Sequence, residues 1–457
     1  MTLTEQGLKE RNLLYRPIKF VMIYFIGLII LYIWGPLEWK TQNSSIFYLF
    51  LFLAHGLLIL GYKSTMAKMR NKEALSQNNY NTKLVLMSDT IILKWINVLI
   101  IINLIMTFLF LIRTIGLSSF SINSIINNLL EGIADPGGQY NSKFTTAKIF
   151  GGNILAPLST LLAPILWPVI PISIIYYKRL NLTSKILVII TIIVESIRWI
   201  STGTNKGVID LILIIISLVF LKQLQRGFNG IINKKSRGTK IIRGLIIIVV
   251  LIVVGFSVFE NNISSRINNN FGTVSSISNN TEINFESPIM KISPSSMHTL
   301  LIYTTSYLTQ GYYGLSLALD EPFIPMFGIG NSYFLISNFE GLLNMDIWKY
   351  TYQSRIAYEG WNPFVNWHSI YTWLANDFSY FGVLILMFLL GKYFAIVCYR
   401  SIVYKDPITS TIFCLLVICF FYFPCNNQVL SMPSTFMAFW GLNIYWFYKT
   451  KIKKTRG

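Results

Sequence analysis

The chain has 457 residues, 53% of them hydrophobic and 12% charged, with a mean hydropathy of +0.54. A soluble globular domain carries about a quarter charged residues, so the composition excludes one of ordinary size. The net charge of +19 invites a nucleic-acid reading, but about 27 of the 38 Lys and Arg fall in alternate loops and the two tails, which is positive-inside topology rather than a recognition face.

Taken in order, the apolar runs predict an all-α polytopic membrane protein of about ten transmembrane helices, each near the roughly 20 residues a bilayer crossing needs. The first three spans are expected at 18–36, 46–62 and 91–112. The fourth, at 150–177, holds Pro157, Pro164, Pro168 and Pro171 and should be kinked or broken, because proline removes a backbone donor and clashes with the preceding turn. Spans at 185–201 and 207–221 are joined by the tight turn Gly203-Thr204-Asn205-Lys206, and a seventh lies at 241–259. Three more follow at 379–398, 409–425 and 433–448, which divides the chain into a membrane region 1–259, a loop region 260–378 and a membrane region 379–457.

With the amino terminus inside, the basic loops all fall inside, both tails are cytoplasmic, and the 113–149 and 260–378 loops fall outside. The basic segment before the first span lacks a cleavage site, so that span is expected to stay as an anchor. Cys398, Cys414, Cys419 and Cys425 lie in or beside late spans without the close pairing of a zinc site, and read as small apolar residues; no metal or cofactor is expected.

The 260–378 loop interrupts the pattern. From Glu260 to Asp377 it holds nine of the nineteen acidic residues and two of the three histidines. Its first part, 260–297, is rich in Asn and Ser and reads as a mobile lead-in. Residues 299–319 are aromatic and amphipathic, expected to lie in the interface or to dip in as a re-entrant piece. A full span there would put the basic tail outside.

Three stretches carry a family likeness. They are Ser196-Ile197-Arg198-Trp199 through Gly203-Thr204-Asn205-Lys206-Gly207; Tyr307-Leu308-Thr309-Gln310-Gly311-Tyr312-Tyr313-Gly314-Leu315-Ser316-Leu317-Ala318; and Trp361-Asn362-Pro363-Phe364 with His368-Ser369-Ile370-Tyr371, Asp377 and Tyr380-Phe381-Gly382-Val383. Together they resemble the bacterial O-antigen or oligosaccharide repeat-unit polymerases, most strongly over the second half of the chain. In that family the turn after the fifth span often carries Arg where this chain has Lys206. The resemblance implies a glycosyltransferase-C-like architecture in the bacterial cytoplasmic membrane. It implies a metal-independent, inverting transfer of a glycan from one polyprenyl diphosphate to another lipid-linked repeat unit, for O-antigen or capsule. The partners implied are the lipid-linked donor and acceptor, the lipid bilayer and a possible chain-length regulator. A glycan ligase with a similar donor is the near alternative. A lipid-linked-oligosaccharide flippase is the non-enzyme one, against which stand the absence of a repeat between halves and the large external loop.

Such chemistry needs cations for the leaving diphosphate, a base for the acceptor hydroxyl and aromatic faces for sugars. Arg355 is the first cation candidate, because guanidinium matches phosphate bidentately; its alternative is a solvated loop arginine. Arg266 is a weaker one. Glu195 and Arg198 lie at membrane depth, where charges face a cavity or a partner; their i, i+3 spacing allows simple pairing, and Lys206 and Asp210 repeat the pattern at i, i+4. His368 is the base candidate and His298 a weaker one. Asp377 either orients His368 or the acceptor, or only caps the eighth span. Asp320 and Glu321, before Pro322, read as turn residues. Trp348, Tyr350, Tyr352, Tyr358, Trp361, Trp367, Tyr371 and Trp373 form an aromatic cluster expected to be exposed to sugars, with Tyr312 and Trp361 the named contacts.

Overall fold

The computed structural model describes residues 12–75, 80–115, 121–140, 154–228 and 281–452; the expected span at 241–259 and Arg266 lie outside them. The helices are α1 (Arg16–Trp34), α2 (Ser44–Leu75), α3 (Tyr80–Ile115), α4 (Ile122–Ala134), α5 (Leu155–Leu166), α6 (Val169–Tyr176), α7 (Leu182–Ser201), α8 (Lys206–Phe228), α9 (Pro288–Ile292), α10 (His298–Ala318), α11 (Tyr333–Leu343), α12 (Ile370–Ile402), α13 (Pro407–Tyr422) and α14 (Pro433–Ile452). Among the described residues there are also two short strands, β1 (Leu37–Trp39) and β2 (Thr281–Ile283).

Among the described residues, six segments are long and apolar enough to cross a bilayer: Arg16–Trp34, Ser44–Asn71, Ile92–Arg113, Leu155–Arg179, Lys206–Phe228 and Ile370–Ile402. The protein is a helical multi-pass membrane protein. Helix α7 has the length but carries Lys185, Glu195 and Arg198, while α13 is apolar but shorter. The proline-rich fourth span is broken as its sequence predicts: α5 ends at Leu166, and α6 starts anew after Pro168.

The chain folds into two compact units. One gathers α1, α2, both strands, the chain from α9 to Arg400, and Leu416–Phe436; the other holds α3 to α8, Ser401–Leu415 and the chain from Met437.

In the first unit, α2 and α12 meet backbone to backbone. A side chain on Gly61 would strike the Phe388 carbonyl, and one on Gly391 the Leu58 carbonyl, the small-residue contact that lets membrane helices approach closely. β1 pairs antiparallel with β2 in the register Leu37↔Ile283, Glu38↔Glu282, Trp39↔Thr281. Asn331 and Ser332 are tied to the α13–α14 connection through Asn427 Nδ2→Asn331 O (2.7 Å) and Ser332 Oγ→Leu430 O (2.5 Å). The long loop is thereby fastened to the α1–α2 and α13–α14 connections at one end of the unit's helices.

Three expectations change here. Residues 281–297 are not a loose lead-in: β2 and α9 order them, and His298 Nε2 bonds the Met290 and Ser293 carbonyls (3.1 and 3.3 Å). The 299–319 segment is not amphipathic in use. It is the single helix α10, buried almost all round from Ile302 to Ala318 and packed on α1, α2 and β1, because its Ser, Thr, Gly and Tyr side chains are small or aromatic enough to pack on every face. The span expected from 379 begins earlier, at Ile370, and breaks where Ser379 adopts φ 58°, ψ 168°.

In the second unit α7 packs along α3, with α4, α6 and α8 against it. Asn181 caps α7 by accepting from the Ser184 amide (2.8 Å), and Ser121 closes a capping box on α4. The expected turn before α8 is present, with Gly203 at φ 58° against the Pro136 carbonyl.

Candidate functional site

Helix α10 is the floor of the candidate site in the first unit. Gln310 Oε1 accepts from the Trp367 amide (2.9 Å), which draws the Trp361–Ser369 stretch onto the helix. Gly314 makes the close contact possible: a methyl there would lie 2.7 Å from Trp361 Nε1 and 3.3 Å from His368 Nδ1. His368 therefore packs on the α10 backbone beside Trp361. It is 3% exposed, and neither ring nitrogen has a hydrogen-bond partner. Burial pushes its pKa down to about 3, so the ring is neutral near pH 7.

Arg355 ends a one-turn helix, Tyr352–Arg355, capped by Thr351 Oγ1 accepting from the Ser354 amide (3.1 Å). Its Nη1 donates to Glu321 Oε2 (2.9 Å), the Tyr358 hydroxyl donates to Glu321 Oε1 (2.9 Å), and the guanidinium lies over the Tyr352 ring (4.7 Å). The side chain is 15% exposed, which corrects the solvated-loop alternative; Nε and Nη2 are buried without a partner. Glu321, expected as a turn residue, is the carboxylate that fixes this cation.

Asp377 is engaged by a loop. Its Oδ1 accepts from the amides of Gly328 (2.8 Å) and Gly330 (3.0 Å), and its Oδ2 from Asn331 Nδ2 (2.8 Å). The neighbouring Asn376 accepts from the Tyr352 amide (2.9 Å) and donates to Gly330 O (2.9 Å) and Gln353 Oε1 (3.0 Å). Asn376 and Asp377 thus hold the 328–331 loop and the Arg355 turn to the start of α12. Sequence reasoning missed Asn376, Gln310 and Gly314; the only signal was the place of Gln310 and Gly314 inside the second family-like stretch and of Asn376 beside Asp377 of the third.

The aromatic cluster is largely not exposed, which corrects the expectation. Trp361, Tyr352, Tyr371 and Trp373 are buried, while Tyr350 and Tyr358 reach solvent. Tyr312 and Trp361, both 0% exposed, are packing residues: Trp361 meets Tyr313 edge-on (5.0 Å), and Tyr312 meets Tyr32 likewise (5.9 Å). Neither presents a face to a sugar.

The other candidates lie in the second unit and are paired. Glu195 takes Arg198 in two bonds (Nη2 to Oε1, 2.5 Å; Nε to Oε2, 3.0 Å), and Oε1 also accepts from Trp199 Nε1 (2.7 Å). The Arg198 guanidinium lies over the Trp199 ring (4.4 Å). Lys206 Nζ bonds Asp210 Oδ2 (2.5 Å), and Asp210 Oδ1 is buried without a partner. The pairing foreseen from i, i+3 and i, i+4 spacing is what forms. No group of His, Cys, Asp and Glu among the described residues is arranged to hold a metal ion.

No protein-family model, curated protein or solved structure matches the chain.

Proposed function

We propose that this protein joins polyprenyl-diphosphate-linked oligosaccharide repeat units by inverting glycosyl transfer. The work would take place at the outer face of a bacterial cytoplasmic membrane, in a chain of about ten spans and glycosyltransferase-C-like architecture with both termini inside. The observation that carries the reading is a pair of buried, incompletely bonded groups: Arg355, with two unpaired donors, and His368, with two unpaired ring nitrogens. Buried polar atoms are bonded in nearly all native structures, so the open groups on His368, inside a family-like stretch, and on Arg355, just before that stretch, point to a ligand that supplies anionic oxygens and a hydroxyl proton.

In this reading the acceptor hydroxyl oxygen attacks the anomeric carbon on the face opposite the diphosphate. The bond from that carbon to the diphosphate oxygen breaks, and its electron pair leaves on the oxygen. The free Nε and Nη2 of Arg355 donate to the developing charge. His368, held neutral by burial, accepts the hydroxyl proton; the diphosphate raises its proton affinity by placing negative charge beside it. Glu321 and Asn376 keep the Arg355 turn in place.

The test is the purified protein in detergent with one lipid-linked repeat unit as donor and acceptor, read by product length. Extended lipid-linked glycan is expected, and it is lost in His368→Ala and Arg355→Ala. Transport alone yields no extension without a membrane barrier, so unchanged substrate with the unmodified protein would overturn the proposal.

A further inference from the structure

The second unit contains an apolar groove of about 400 Å³, open on one side. Its volume falls within the roughly 300–1,000 Å³ usual for small-molecule sites. Four elements wall it: α3 through Trp95 and Leu99, the broken α5–α6 pair through Pro168 and Ile172, the start of α13 through Ile408, and α14 through Tyr445. The groove exists because two of these walls are irregular. The break at Trp167–Pro168 interrupts α5–α6, and Gly441 lets α14 close on Pro164 without a side chain between.

Each wall carries a cation beside or just beyond its lining residues, toward the same end. Lys94 adjoins Trp95. Lys178 and Arg179 end the span that contains Ile172, ~9–10 Å further along at about 1.5 Å per residue. Lys405 precedes Ile408, and Lys449 follows Tyr445 by one turn. Lys222 on α8 stands within electrostatic range of both Lys178 and Arg226. Asp406 stands beside Tyr445, but its Oδ1 accepts from the Ile408 amide (3.1 Å) and caps α13. Trp95 and Tyr445 line the groove at this cationic end, the level at which such rings sit between hydrocarbon and headgroups. Cations at span ends alone would be an ordinary topology signal. Here they converge from four elements on an open apolar groove in the membrane-spanning part of the protein.

We propose that this groove binds an anionic phospholipid, one acyl chain filling the cavity and the phosphate lying among the cations that ring its end. The hydrocarbon walls supply no donor or acceptor for a polar ligand, and the charge beside them selects for phosphate with net negative charge. This inference is independent of the catalytic reading above.

The experiment uses the full-length protein in detergent, with retained lipid measured by native mass spectrometry and thermal stability measured alongside. Phosphatidylglycerol, phosphatidylcholine and a polyprenyl phosphate are added in separate arms. Phosphatidylglycerol should be retained and should raise the melting temperature; phosphatidylcholine should do neither. Equal retention of phosphatidylcholine, or preference for the polyprenyl phosphate, would overturn the assignment. Ile165→Trp fills the groove from its open edge, at a position already 51% exposed, and should abolish retention while the protein stays folded. Lys94→Gln with Lys449→Gln should weaken phosphatidylglycerol binding by roughly 30-fold, at about 1 kcal/mol per lysine near an anionic headgroup. Undiminished binding in both variants would also overturn it.

Discussion

His368 gives the sharpest quantitative handle on the candidate site. A histidine released into water titrates at 6.5, whereas burial holds this one neutral down to about 3. Between those values the unfolded chain binds a proton that the folded protein refuses. The sign follows: stability contributed by the neutral ring is full above pH 6.5 and is lost as pH falls from 6.5 towards 3. At pH 5 the unfolded state is 1.5 units below its pKa, and at about 1.4 kcal/mol per unit the cost is ~2 kcal/mol. That figure depends only on the unfolded pKa, provided the folded value lies well below 5.

The perturbation is His368→Gln, which keeps the size and polarity of the side chain and removes the titration. Unfolding in detergent at pH 7 and pH 5 should show the natural protein losing ~2 kcal/mol more than the variant. His55 and His298 are present in both proteins and cancel in the difference. Parallel losses would refute the reasoning, because they would mean that His368 is solvated or already charged in the folded state. Adding a soluble sugar diphosphate should flatten the pH dependence of the natural protein only, since negative charge beside the ring raises its folded pKa.

Arg355→Ala should abolish chain extension and also cost about 2–4 kcal/mol, because it strands the buried Glu321 carboxylate; Arg355→Met with Glu321→Gln should recover most of the stability and none of the activity, and recovery of long glycans in cells carrying the pair would contradict a phosphate role. Glu195→Leu or Arg198→Leu alone should each destabilise more than the two together, since only the singles leave an unpaired charge; normal glycan length in the double variant would establish the pair as structural. Gly314→Ala should cost about 1–3 kcal/mol by overpacking against Trp361 and His368, and Trp361→Phe, which removes the clashing Nε1, should relieve it; unchanged stability in Gly314→Ala would mean that the helix and the indole are not in contact.

Local rules carried much of the fold. The prolines at 164 and 168 announced the α5–α6 break, and the Gly203 turn was legible because it needs a positive φ. Positions set through space were not. Nothing along the chain ties Trp39 to Thr281, yet the β1–β2 ladder joins them. The burial of α10 was hidden for a related reason: hydropathy counts Thr305, Thr309, Gln310 and Ser316 as polar, but Thr309 accepts from Trp39 Nε1 (3.1 Å) and Gln310 from the Trp367 amide. A helix with some of its polar groups bonded by neighbouring segments can be buried on all sides without an apolar stripe, even with the Thr305 hydroxyl left without a partner. The start of α12 was misplaced because Trp373, Asn376 and Asp377 read as loop residues, whereas the structure uses them in a lead-in helix that precedes the Ser379 break.

The same distinction separates the cations. Arg198 and Lys206 find their acids three and four residues away, so both pairings could be read from one turn of helix. Arg355 finds Glu321 across 34 residues, and no spacing rule reaches that far. The consequence for function is asymmetric. Glu195 occupies both Nε and Nη2 of Arg198, and the Lys206 ammonium lies on Asp210, so an anion arriving there would have to compete with a carboxylate already in place. Arg355 gives only Nη1 to Glu321 and keeps two donors open in a buried setting. An incoming diphosphate would gain charge-assisted bonds there without displacing the carboxylate, and those bonds are the stronger kind. On that argument an anion would be taken up in the first unit, at Arg355, whereas the acid-base pairs of α7 and α8 are each satisfied within their own helix.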